Sequence, residues 1–63
     1  MSKEELKKYQ QLSGLLRKMA DYIDELVDLE ELEDSEEKEA KQEEILGKYF
    51  IVAMKLQQVN NGL

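Results

Sequence analysis

Apolar residues recur along this chain in two stretches at helical spacing, separated by a polar and strongly acidic middle. In the first stretch Tyr9, Leu12, Leu16, Met19, Ile23 and Leu26 follow alternating steps of three and four, the a/d pattern of a seam between helices. Ser2 followed by Glu5 predicts a capping-box start, in which the hydroxyl accepts from the third helical amide and the carboxylate reaches back. In the second stretch Ile45, Tyr49, Val52, Leu56, Val59 and Leu63 step by four and three. Asp34, Ser35, Glu36 and Glu37 supply N-cap candidates and first-turn acids suited to a positive helix end. Asn60-Asn61-Gly62 predicts a left-handed stop. Taken alone, Tyr49–Met54 also fits a buried strand, but no second strand exists to pair with it, and helix is the better reading.

The two seams do not share one frame. Extended forward, the first reaches Glu30, Glu33, Glu37, Ala40 and Glu44; extended backward, the second reaches Gln42 and Lys38. The frames differ by two residues, neither a stutter nor a stammer, which argues against one continuous helix. Reflection about Asp34 brings them into step instead. Tyr9 then falls level with Val59, Leu12 with Leu56, Leu16 with Val52, Met19 with Tyr49 and Ile23 with Ile45. Further in, Leu26 meets Gln42 and Glu30 meets Lys38, an ion pair. The expected fold is therefore all-α: an antiparallel two-helix hairpin with helices over about 2–32 and 35–61, turning at Glu33–Ser35. It forms one domain over 1–63, with an acidic tip around 28–39.

Two helices in contact need only a narrow apolar stripe each, and both carry more. On the first helix Leu15, Tyr22 and Leu29 lie on one flank of the seam, and Leu6, Ser13, Ala20 and Val27 on the other. On the second, Leu46, Phe50 and Ala53 extend the stripe on one side, opposite Lys41, Lys48 and Lys55. Antiparallel heptad geometry gathers Leu6, Ser13, Ala20, Val27, Leu46, Phe50 and Ala53 on one broad face. The expected occupant of that face is a second copy, closing a four-helix bundle with Leu46 and Phe50 as anchors. Gly14 falls on the outer side of the first helix, and Gly47 borders the apolar arc.

Composition reinforces the need for a partner. The chain has 63 residues and no Cys, His, Trp or Pro. A core below about 70 residues rarely supplies more than a few kcal/mol, and neither a disulfide nor a Cys/His zinc site is on offer. The same absences exclude His-, Cys- and Ser–His-based catalysis and the usual metal-hydrolase ligand sets. No catalytic, cofactor-binding or metal-binding residues are expected. The apolar run Tyr49–Met54 is six residues, far short of the roughly 20 of a membrane span. Charges at Lys3, Glu4 and Glu5 occupy the place of a signal peptide's apolar stretch, so the expected location is cytoplasmic.

The net charge of −6 is strongly segregated: residues 1–18 carry net +3, residues 19–44 net −11 and residues 45–63 net +2. The acidic tip comprises Glu30, Glu31, Glu33, Asp34, Glu36, Glu37 and Glu39. Read as a calcium loop beginning at Asp28, it places Leu32 at a ligand position and Glu33 where glycine is required, so an EF-hand is rejected. Solvated acids with no apolar pocket also lack the means to act as an acid–base pair. A solubilising tip is the plain reading. A sharper one is an acidic mimic of a nucleic-acid backbone that occupies the basic groove of a DNA- or RNA-binding protein. Glu30, Glu31 and Glu33 oppose the dipole of the first helix, so its last turn should fray and gain from salt or mild acid.

In architecture alone, a two-helix hairpin dimer of this length resembles the Rop-type RNA-binding bundle, with Lys3, Lys7, Arg17 and Lys18 on the outer side of the first helix. No Rop sequence motif is present, and net −6 argues against nucleic acid as the partner. Tyr9, Tyr22, Tyr49 and Phe50 sit at core spacing rather than as a stacking platform. The expected function is that of a non-enzymatic interaction module, homodimeric and acidic, serving as an adaptor, chaperone-like or regulatory protein.

Overall fold

The computed structural model describes residues 1–62 and consists of α1, Lys3–Glu30, and α2, Glu36–Asn61, packed against each other. Contacts at both ends define an antiparallel hairpin. At the open end Lys8 Nζ donates to the Gly62 carbonyl at 2.8 Å; at the tip Lys38 Nζ lies 3.9 Å from Glu30. Both helix starts follow their sequence signals. Ser2 Oγ accepts from the Glu5 amide at 3.2 Å, and Ser35 Oγ accepts from the Lys38 amide at 3.1 Å, satisfying donors that the first turn leaves orphaned.

The helix ends differ from expectation. α1 stops at Glu30, two residues before the expected boundary, and 31–35 forms the connection. Its last turn holds no basic side chain to offset the negative end of the dipole. The left-handed stop at Asn60-Asn61-Gly62 is not formed. Gly62 sits at φ −82, ψ −7 and its amide donates to the Gln58 and Val59 carbonyls, so the last turn closes in right-handed geometry. Leu63, the final expected seam position, lies outside the described residues.

On α2 the inward stripe is the expected one: Val52 is buried, and Ile45, Tyr49, Leu56 and Val59 are half-buried, continued toward the tip by Gln42 and Lys38. On α1 the expected seam is corrected by one heptad position. Leu12, Met19 and Leu26 face inward as expected, but their companions are Lys8, Leu15, Tyr22 and Leu29 rather than Tyr9, Leu16 and Ile23. Leu15 is 9% exposed and its neighbour Leu16 is 53% exposed. The row through Leu12, Met19 and Leu26 belongs to either frame, so a small roll of the helix selects one set of companions over the other.

The hairpin is a rod of 50 × 16 × 10 Å with a radius of gyration of 15.0 Å, against about 11 Å for a compact chain of this length. Its accessible surface is 5267 Å², about 1,000 Å² more than the roughly 4,200 Å² of a compact monomer of this mass. Among the described residues only Leu15, Leu29 and Val52 form a buried apolar core. The molecule has a contact line rather than an interior.

A methyl group built on Gly14 meets nothing within 4 Å. Gly14→Ala should therefore stabilise the hairpin by up to about 1 kcal/mol through helix propensity. Thermal unfolding followed by circular dichroism should show the midpoint rising by roughly 4–8 °C for that increment.

Candidate functional site

Every residue of the expected partner face is exposed except Ala53, which is half-buried beside the seam. Of these residues, Val27, Leu46 and Ala53 line clefts between the two helices. One shallow cleft between the helices is lined by Leu12, Leu16, Ala53, Leu56, Gln57 and Asn60. A second, nearer the tip, is lined by Ile23, Leu26, Val27, Glu30, Gln42 and Leu46. The first sets Leu16 of α1 beside Ala53 of α2, and the second sets Ile23 and Val27 of α1 beside Leu46 of α2.

The roll of α1 enlarges this face. Tyr9, Leu16 and Ile23, released from the seam, join Leu6, Ser13, Ala20 and Val27, and the combined row steps by three and four along the helix. α1 thus carries two adjacent heptad stripes. One is spent against α2 and the other, with Val27 59% and Leu6 48% exposed, has no cover in the hairpin. On α2, Phe50 is 61% exposed, four residues after Leu46 and three before Ala53, which places it on the same side. The Tyr49 ring, half-buried in the seam, meets Phe50 edge to face at a centroid distance of 5.8 Å.

Sequence reasoning missed two parts of the apolar surface. The heptad pattern alone puts Tyr9, Leu16 and Ile23 in the seam, and the structure exposes all three. Ile51 and Met54 are exposed on the side of α2 remote from α1, beside Gly47, whose missing methyl would touch nothing. Nine apolar residues among the twelve from Ile45 to Leu56 were the available signal, since so dense a run must show apolar side chains on more than one side of a helix.

The acidic tip is organised by one cation. Lys38 is 7% exposed, and its Nζ donates to the Leu32 carbonyl and to Asp34 Oδ1, both at 3.0 Å. Gln42 Nε2 donates to Glu30 Oε1 at 3.1 Å across the two helices. The carboxylates of Glu31, Glu33, Glu36, Glu37 and Glu39 stay on the surface, and Asp34 is 96% exposed even while it pairs with Lys38. Among the described residues no group of three or more acidic side chains converges to hold a metal ion, and no helix is long and apolar enough to cross a membrane.

No protein-family profile, curated protein or solved structure matches the chain. The geometry above therefore carries the functional reading by itself.

Lys38→Met keeps most of the buried stem and removes both charge-assisted bonds. Because the carboxylate partners are largely exposed, the cost should be modest, about 1–2 kcal/mol. Chemical denaturation should show a lower midpoint for this variant, and no change would mean that the clasp is irrelevant to stability.

Proposed function

We propose that the chain is a non-enzymatic interaction module that works as a homodimer, two hairpins closing a four-helix bundle through the face built on Leu16, Ile23, Val27, Leu46 and Phe50. One observation carries this reading: α1 presents a second, uncovered heptad stripe next to the one it uses against α2. A helix with two adjacent apolar stripes is a helix with two neighbours, the condition of a bundle.

The magnitudes agree. The surplus of about 1,000 Å² over a compact monomer compares with about 800 Å² per partner at a standard interface. A second copy presents the same face, and two-fold pairing of identical surfaces is the commonest closed assembly. Small side chains at Ser13, Ala20 and Ala53 leave room between the larger anchors. A stable bundle of this kind, with acidic tips held away from the apolar body, suits an adaptor, chaperone-like or regulatory role in the cytoplasm.

The exposed tip supports a second reading, an acidic decoy for a nucleic-acid-binding protein. Capture of such a partner would be competed by DNA or salt, and charge reversal at Glu36, Glu37 and Glu39 would abolish it. Association through the apolar face would survive both treatments.

Sedimentation equilibrium at micromolar concentration should give twice the chain mass; a folded monomer there would sink the homodimer. Phe50→Asp should raise the dissociation constant by at least about 30-fold, the loss of a 2 kcal/mol hot spot. The pair Lys48→Ala with Lys55→Ala should instead promote aggregation. Those lysines gate Tyr49–Met54, an uncharged β-prone window, and light scattering on heating would register the change.

A further inference from the structure

We infer that the second copy docks antiparallel, with the acidic tip of each hairpin beside the open end of the other. This rests on the homodimer proposed above and settles its orientation. Two-fold pairing across the apolar face allows two arrangements. In the parallel one both tips lie at the same end and α1 packs on α2 of the second copy. In the antiparallel one the tips lie at opposite ends, and each helix packs on its own counterpart.

Charge separates the two. The hairpin brings residues 1–18 and 45–63 side by side, so the open half of the rod carries net +5 and the tip half net −11. Neighbouring helices in a bundle lie 8–10 Å apart, about one Debye length at physiological salt. Parallel docking would hold two −11 halves within that distance, whereas antiparallel docking sets each against a +5 half.

The heptad rows fit the same dyad. Placed at the level of Leu16, it sets Leu16 against Leu16 of the second copy and Ser13 against Ala20, so small side chains flank the central leucine pair. On α2 the same level falls near Val52, and there Phe50 meets Ala53 of the second copy, large against small. The outer flank of the α1 stripe reads Lys3, Gln10, Arg17, Asp24, Glu31 at intervals of seven. Reversed about Arg17, one residue from that level, this row brings Lys3 within reach of Glu31 and Gln10 of Asp24, with Arg17 beside its own copy at the centre. Packing alone accepts either orientation, but only the antiparallel one also pairs the charges.

The chain has no cysteine, so Glu33→Cys places a single nitroxide label in the exposed connection. Pulsed dipolar spectroscopy on the labelled protein, its helicity checked by circular dichroism, should report a label-to-label distance close to the 50 Å long axis of the rod. A distance within roughly 20 Å, two interaxial spacings, would place the tips together and overturn the inference. No dipolar signal, with sedimentation showing monomer, would overturn the homodimer itself and this orientation with it. As a second readout, Lys3→Glu should weaken association several-fold, and adding Glu31→Lys should restore it. A double variant weaker than the single would count against the antiparallel pairing.

Discussion

Two helices in contact can hide one stripe of side chains each, and this chain has more apolar stripes than two helices can hide. α1 carries two complete rows and α2 carries its seam, the Leu46–Phe50–Ala53 row and the shorter Gly47–Ile51–Met54 edge. The choice of which rows meet decides where the remainder goes. With Tyr9, Leu16 and Ile23 in the seam, the surplus would be divided, Leu15, Tyr22 and Leu29 on one side and Leu6, Ala20 and Val27 on the other. In the structure α1 turns the first group inward, with Leu15 and Leu29 buried and Tyr22 half-buried, and leaves Leu16, Ile23 and Val27 along the clefts with Leu46 and Ala53. The surplus of α1 is then one row rather than two, and apolar area is worth covering roughly in proportion to its extent.

The tip resolves a different conflict. α1 ends in acids and lacks a cation in its last turn, while α2 begins with acids that suit its own positive end. Lys38 lies in the first turn of α2, a poor place for a cation with respect to that helix's dipole. Its ammonium nevertheless reaches the Leu32 carbonyl and Asp34 and approaches Glu30. It therefore supplies to the end of α1 the positive charge that α1 lacks. The connection contains neither Gly nor Pro, and no residue in it takes a positive φ. The turn is held by side chains, with Ser35 capping α2 and Lys38 tying back the chain, rather than by a special backbone.

Much of this was readable from residue spacing. The α2 seam, both serine caps and the Glu30–Lys38 pair follow from heptad steps and reflection about Asp34, since local capping and antiparallel register are set by short-range geometry. The α1 seam was not readable to the same precision. Its Leu12–Met19–Leu26 row fits two frames equally well, and only the facing helix selects between them. Because the roll of α1 turns Tyr9, Leu16 and Ile23 outward, the helix exposes more apolar surface than its heptad pattern predicts. The C-terminal stop failed for a related reason. Asn and Gly permit a left-handed residue without requiring one, and the Gly62 carbonyl is taken by Lys8 from the other helix, a tertiary contact that no local motif announces.

One apolar edge would remain even in the proposed four-helix bundle. A helix in a four-helix bundle touches two neighbours, so the Gly47–Ile51–Met54 edge of α2 stays outside. Lys48 and Lys55 lie toward this side, and their alkyl stems can lie over apolar surface while the ammonium groups stay wet; Lys48 also pairs with Glu44 at 3.3 Å. Covered in this way, the edge amounts to two large side chains, within what an ordinary protein surface tolerates. Glu44 is the acid beside this edge, and seven acids gather at the tip over residues 30–39. Carboxylates on a packed helix face would have to be desolvated, whereas at the tip those of Glu31, Glu33, Glu36, Glu37 and Glu39 stay on the surface.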